Sequence, residues 1–167
     1  GLIEAVTFSF MPRARAAAFG GVGDELVLVN PISSDLDAMR PSILPNLLDA
    51  VTRNQARGID DVTLFELGPQ YSDDTPAGQS LTAAGVRVGA DGSRHWLSSP
   101  RPVDAYDTKA DALAALTAAA APVANLQVAR EAPGWYHPGR SGALMLGHKP
   151  LAYFGEIHPA IIRDFEL

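Results

Sequence analysis

The sequence predicts an α+β fold, a mainly antiparallel sheet flanked by helices, and three observations carry that prediction. Short alternating or continuous apolar stretches recur along the chain and are joined by brief turns bearing Gly or Pro, as neighbouring antiparallel strands are. Two longer stretches, about Ser42 to Arg57 and Asp107 to Ala121, carry helical signals instead. Neither a repeat nor an internal linker interrupts the 167 residues, a length that suits a single domain, 1–167.

Glu4 to Phe10 alternates, with Val6, Phe8 and Phe10 on one side and Ala5, Thr7 and Ser9 on the other, the pattern of a half-buried strand. Pro12 to Phe19 reads as a short helix broken by Gly20-Gly21-Val22-Gly23. Those glycines lack a preceding buried strand and a following Lys-Ser/Thr, so they read as a turn rather than a phosphate cradle. Leu26 to Val29 is a continuous apolar run, expected as a strand covered on both faces and stopped by Asn30-Pro31. The helix after it has Ser42 as its expected cap, Pro45 in its first turn and Gly58 at its end. Ile43, Leu44, Leu47, Leu48 and Val51 form its apolar stripe, opposite Asn46, Asp49, Arg53, Asn54 and Arg57.

Val62 to Leu67 is the next strand, ending at Gly68-Pro69; Tyr71 to Ser80 is an exposed polar loop. Leu81 to Val88 is a further strand with a turn at Ala90 to Ser93. In the second helix Thr108 and Asp111 have capping-box spacing, Leu113 and Leu116 mark the buried side, and Pro122 ends it. Leu126 to Ala129 is a short strand. Ala143 to Leu146 and Leu151 to Phe154 flank Gly147-His148-Lys149-Pro150 as a hairpin, and Pro159 to Phe165 is a terminal helix.

Composition narrows the chemistry. With 47% hydrophobic residues the chain can build a core without staples, and with no cysteine it has no disulfide, thiolate metal site or cysteine nucleophile. That usage is consistent with a reducing compartment. No apolar run approaches the roughly 20 residues of a membrane span, and the N-terminus has no signal-peptide pattern. A first residue of Gly, with motif-like sequence directly after it, reads as a piece of a longer chain. The net charge of −6, with two lysines and eleven arginines scattered, argues against a main nucleic-acid surface.

Four groups could carry chemistry. His137 and His158 each precede a proline, Glu156 lies close to the second, and the group invites a metal reading; no pair of histidines has the helical spacing that delivers two imidazoles together, which favours structural roles. Asp104, Asp107 and Lys109 could form an acid–base or magnesium cluster, or could simply cap a helix. Ser141, in Gly139-Arg140-Ser141-Gly142, lacks the setting of a nucleophile elbow. Trp135-Tyr136 beside His137-Pro138-Gly139-Arg140 is either a ligand-facing loop or a packed corner.

Four blocks in this order resemble the β-subunit family of bacterial phenylalanine–tRNA ligase: Glu4 to Phe10; Val29 to Leu48, including Asn30, Pro31, Arg40 and Leu44; Leu64-Phe65-Glu66-Leu67-Gly68; and His137-Pro138-Gly139-Arg140-Ser141 with Gly155-Glu156-Ile157-His158-Pro159. Asp104-Ala105-Tyr106-Asp107-Thr108-Lys109 matches a further family segment, with Ala110 where glycine is usual. The resemblance implies a class II synthetase-like core from the β chain, a degenerate copy of the α subunit's catalytic domain. That copy holds no cofactor itself; it packs against α in a cytoplasmic α2β2 enzyme that uses ATP and Mg²⁺ to attach phenylalanine to tRNA(Phe), which binds mainly through other domains. Leu26 to Arg57 would match motif 1, the subunit-interface element, with Asn30, Pro31, Arg40, Leu44, Leu47, Leu48 and Val51 at the contact. Leu64 to Tyr71 would match motif 2. An active site carries a phosphate-gripping arginine after that strand, where this chain has Tyr71-Ser72-Asp73-Asp74. The alternatives are a vestigial amino-acid or nucleotide pocket, a metal enzyme using His137, Glu156 and His158, and a small tRNA contact through Arg13, Arg15 or Arg53.

Overall fold

The computed structural model describes residues 1–92, 95–97 and 99–167, and the chain forms two compact units, Gly1–Val86 and Arg87–Leu167. In the first unit the arm from Gly1 runs through β1 (Ile3–Glu4) and β2 (Phe10–Met11) into α1 (Arg13–Ala16) and a 3-10 turn, Ala17–Phe19. A second 3-10 turn, Asp24–Leu26, leads towards β3 (Ala38–Met39), α2 (Leu44–Gln55), β4 (Val62–Tyr71) and β5 (Gln79–Val88), whose last two residues are counted with the second unit. β1, β4 and β5 form one sheet in that order. β1 runs parallel to β4, and β2 pairs antiparallel with β3.

α2 closes the core of this unit. Ile43, Leu47, Leu48 and Val51 recur every three or four residues on one helical face, and all four are buried; Leu44, at the edge of the stripe, is half-buried. Met11, Phe19, Leu26 and Val62 are buried in the same unit. Ser42 lies one residue before the N-cap, Ile43, and its Oγ accepts the Leu44 N–H at 3.2 Å; Gln70 Oε1 accepts the Ile43 N–H at 3.0 Å. Those two bonds occupy donors that the first helical turn cannot pair by itself.

Two sequence expectations change here. Leu26 to Val29 is not a strand covered on both faces: Leu26 is buried at the end of a 3-10 turn, Val27 makes a lone bridge to Ala38, and Val29 is 93% exposed. Its neighbour β3 is only two residues long, so the ladder has nothing to extend along. From Glu4 to Phe10 the regular strand is confined to the two ends, and the inward side is that of the small residues. Ala5, Thr7 and Ser9 are partly buried, while Val6 is 88% and Phe8 65% exposed. Alternation identifies two faces without saying which one meets the core.

The second unit consists of α3 (Ala105–Ala118), β6 (Gln127–Ala129), β7 (Tyr136–Leu146), β8 (Lys149–Ile157) and α4 (Pro159–Asp164). β6, β7 and β8 form an antiparallel sheet in that order, and α3 lies along β8. The Leu146–Lys149 pair closes the hairpin with a two-residue turn, Gly147-His148, tighter than the four residues the sequence suggests. Ala143, Leu144, Phe154, Ile161 and Phe165 are the buried apolar residues; Leu113 and Leu116 on α3 are half-buried. The α3 cap is Asp104, not Thr108, whose hydroxyl donates to the Ala105 carbonyl instead. Asp104 begins an earlier turn with an acid three residues on, and that pairing satisfies two end groups at once. Of the turn expected at Ala90 to Ser93, Ser93 lies outside the described residues; Ala90 bridges Pro102.

Candidate functional site

Arg40 follows directly on β3, and its guanidinium is 1% exposed. Nη1 donates to Glu66 Oε1 at 2.8 Å and to Thr7 Oγ1 at 2.9 Å; Nε donates to the Pro69 carbonyl at 2.9 Å. The Thr7 hydroxyl in turn donates to Glu66 Oε2 at 2.7 Å. Arg40 uses its backbone as well: its N–H reaches the Ser9 carbonyl, and its carbonyl accepts the Tyr71 N–H, both at 3.0 Å. One residue thus joins the N-terminal arm, β3 and β4.

The same contact explains two motif residues. Glu66 sits on the inward side of β4 and is 3% exposed, while Phe65 and Leu67 beside it face outward. A side chain at Gly68 would bring its Cβ within 2.4 Å of Arg40 Nη2, so glycine is what lets the guanidinium lie across the strand. Beyond β4, the Asp73 carboxylate accepts from the Thr75 N–H at 2.8 Å and the Thr75 hydroxyl at 2.6 Å. Those bonds hold its pKa below the ordinary carboxylate value, so the end of the strand presents anionic groups.

The residues expected at a subunit contact separate into two sets. Arg40, Leu47, Leu48 and Val51 are packed inside the first unit, and Leu44 is half-buried; a partner cannot reach the first four as the chain is folded. Asn30 and Pro31 are exposed, between the exposed Val29 and Ile32. Sequence periodicity locates the apolar face of a helix, but not whether its own unit or another chain covers that face.

A cavity of about 380 Å³ opens in the same unit between the N-terminal arm and the polar side of α2. Val6, Phe8, Phe10 and Leu36 line it together with Asn46 and Asp49. Asn46 Nδ2 donates to the Phe8 carbonyl at 3.2 Å. Burial raises the Asp49 carboxyl above its ordinary pKa, although Arg15, at 3.9 Å, and Arg53 pull the other way. No sequence signal marks this cavity, because its walls come from segments about forty residues apart.

In the second unit the candidate groups are engaged locally. Asp104 accepts the N–H groups of Tyr106 and Asp107, and Asp107 accepts the Asp104 N–H at 2.8 Å. Arg101 grips Asp107 with two bonds, at 2.7 and 2.8 Å. That fork, with the Asp104 N–H, lowers the Asp107 pKa to about 2. Lys109 Nζ lies 5.9 Å from the centre of the Phe154 ring. His137 Nδ1 accepts the Gly139 N–H, His158 Nδ1 accepts the Ala160 N–H at the start of α4, where Pro159 follows it, and Arg140 pairs with Glu156. Pro138, Gly139 and Arg140 stand exposed where the β7–β8 register shifts between Tyr136 and Ser141. At Gly155, with φ +143°, a Cβ would lie 2.5 Å from the Arg140 carbonyl oxygen, which restricts the position to glycine. Among the described residues, no three His, Cys, Asp or Glu side chains converge as a metal centre requires. No helix among the described residues is long and apolar enough to cross a membrane.

The family model described as "Phenylalanyl tRNA synthetase beta chain CLM domain" matches residues 1–167. The chain is 60% identical over 162 residues to a phenylalanine–tRNA ligase beta subunit of Rhodospirillum rubrum, covering 97% of this chain and 20% of the relative. It is 56% identical over 167 residues to that of Paramagnetospirillum magneticum, covering 100% and 21%. The chain therefore spans about a fifth of the length of these relatives. A crystal structure of pyrrolysyl-tRNA synthetase from Desulfitobacterium hafniense superposes with a TM-score of 0.69 at 17% identity, covering all of this chain and 57% of that one. The fold is that of a class II synthetase-like core.

Two predictions follow from the contacts above. Arg40→Met alone leaves Glu66 buried without its cation and should cost about 3–5 kcal/mol in urea unfolding, whereas Arg40→Met with Glu66→Met should recover most of that loss. Equal losses from the single and double variants would show that the pair is not the coupled unit described. Asp107, whose folded pKa lies below 3.8, stabilises the α3 cap above about pH 4, and that contribution fades as the pH falls through 2. NMR titration of its carboxyl carbon should give a midpoint near 2; a midpoint at the ordinary 3.8 would mean the Arg101 fork does not form in solution.

Proposed function

The chain belongs to the family of phenylalanyl-tRNA synthetase beta chain CLM domains, and from that premise we propose that it is a non-catalytic scaffold whose work is subunit association. In this reading it packs against the α subunit of a cytoplasmic α2β2 phenylalanine–tRNA ligase. ATP and Mg²⁺ act on the α subunit, and tRNA(Phe) is held mainly by other parts of the β chain.

One observation carries the proposal. The strand that a class II enzyme would follow with a phosphate-gripping arginine is followed here by Ser72, Asp73 and Asp74, and Asp73 is bonded so as to stay ionised. Acids at that position repel a triphosphate. Arg40, in the motif block from Val29 to Leu48, is enclosed by Glu66, Thr7 and Pro69. The first unit also leaves apolar residues on its surface, among them Val29 and Ile32 beside Asn30 and Pro31, and separately Val6 and Phe8. Covering a valine or isoleucine side chain contributes roughly 1.5–3 kcal/mol, so a few such residues in a standard interface of about 1,600 Å² decide whether it holds.

Full-length β carrying Val29→Asp and Ile32→Asp should assemble with α at least about tenfold more weakly, as measured by mass photometry of mixtures, because each change places a charge in an apolar contact. Undiminished assembly would remove this surface from the interface. The 167-residue chain alone should support no phenylalanine-dependent pyrophosphate exchange; measurable exchange would refute the scaffold reading outright.

A further inference from the structure

We infer that the Asp91–Gly92 peptide is a site of spontaneous isoaspartate formation, and that Arg101 restrains the reaction. This concerns the second unit alone and does not rest on the scaffold reading. An aspartate rearranges when the amide nitrogen of the next residue reaches its side-chain carbonyl carbon.

The local structure leaves that nitrogen open. Glycine follows Asp91, so no Cβ shields the nitrogen, and the backbone there turns more freely than at other residues. No other Asp or Asn in the chain precedes a glycine. Asp91 and Gly92 are both exposed, outside any helix or strand, and a Cβ built on Gly92 would meet nothing within 4 Å. The Gly92 N–H donates no hydrogen bond to the described residues, so no backbone bond has to break before it reacts.

Arg101 acts on the carboxyl instead. Its N–H donates to Asp91 Oδ1 at 3.0 Å, and its Nε lies 3.4 Å from Oδ2, so both oxygens are engaged. This hold is looser than the fork that the Arg101 Nη atoms close on Asp107, at 2.7 and 2.8 Å. Asp91 is the carboxylate that lets go. Once free it takes a proton from solvent, and the Gly92 nitrogen attacks its Cγ. The amide proton and the carboxyl hydroxyl leave together as water, and a five-membered succinimide closes. Water then opens the ring. Cleavage of the Cγ–N bond restores aspartate; cleavage at the main-chain carbonyl carbon leaves the backbone running through Cγ, with no change in mass. The backbone is then one carbon longer and the carboxylate one carbon closer to Cα, so the two contacts with Arg101 lose their register.

The test stores full-length β, assembled with α, for several weeks at physiological temperature and pH. Electron-transfer fragmentation of the peptide containing Asp91 distinguishes the two linkages. Isoaspartate should accumulate at position 91, and Arg101→Gln should speed it severalfold. Gly92→Ala should slow it about tenfold, because a Cβ then crowds the attacking nitrogen. Gly92 has open space and no positive φ, so alanine fits there without strain. Arg101→Gln also releases Asp107, so the unmodified chain unfolded in urea supplies the unrestrained rate as a second comparison. The folded, unmodified chain should react more slowly than that reference. No isoaspartate at position 91 in Arg101→Gln would overturn the inference. So would equal rates in the folded and unfolded unmodified chain, which would mean that Arg101 restrains nothing.

Discussion

The buried Arg40–Glu66 pair is the constraint on which the first unit depends. Taking a guanidinium and a carboxylate out of water costs several kcal/mol for each ion, and only close geometry with further hydrogen bonds offsets that. Here the offset is assembled from four residues: Glu66 and Pro69 on β4, and Thr7 and the Phe8 carbonyl on the arm. None of these contacts survives alone. If β4 slipped by one residue, Glu66 would face solvent and Arg40 would be buried without a counterion. The pair therefore fixes the register of β4 relative to the arm more strictly than apolar packing would, since apolar packing tolerates small shifts.

Charged residues in an aminoacyl-tRNA synthetase motif suggest chemistry, yet several of those in this chain are bound by the chain itself. Arg40 and Glu66 neutralise each other, Asp104 and Asp107 close the end of α3, and His158 caps α4. Glu156 is paired with Arg140, and Gly155 allows β8 to pass the bulge beside it. The polar groups hold two small units in shape, and the apolar residues left outside are free to meet another chain.

What was legible in the sequence is what depends on near neighbours. The stripe Ile43, Leu47, Leu48, Val51, the hairpin around Gly147 and the start of α4 at Pro159 each depend on residues within a few positions, and each forms about where the pattern places it. The order of the motif blocks identified the family correctly. Distant contacts were not legible. That Thr7 rather than Val6 turns inward follows from Glu66, 59 residues away, and Leu26 to Val29 lacks a ladder because β3 is short. The α3 cap was misplaced by four residues because Thr108 and Asp111 have the same spacing as Asp104 and Asp107; Asp111 is instead held by Arg87. The cavity beside Asn46 left no trace in the sequence, since its lining comes from the arm, from Leu36 and from α2, stretches that share no common period.

If Arg40 and Glu66 serve shape alone, replacing both should leave the chemistry of the assembled enzyme untouched. The decisive measurement is the rate of tRNA(Phe) charging per assembled complex, with α and full-length β carrying Arg40→Met and Glu66→Met together. The account predicts turnover within about twofold of the unmodified enzyme, whatever happens to the yield of complex. A fall of about tenfold or more in fully assembled enzyme, some 1.4 kcal/mol of transition-state stabilisation, would contradict it.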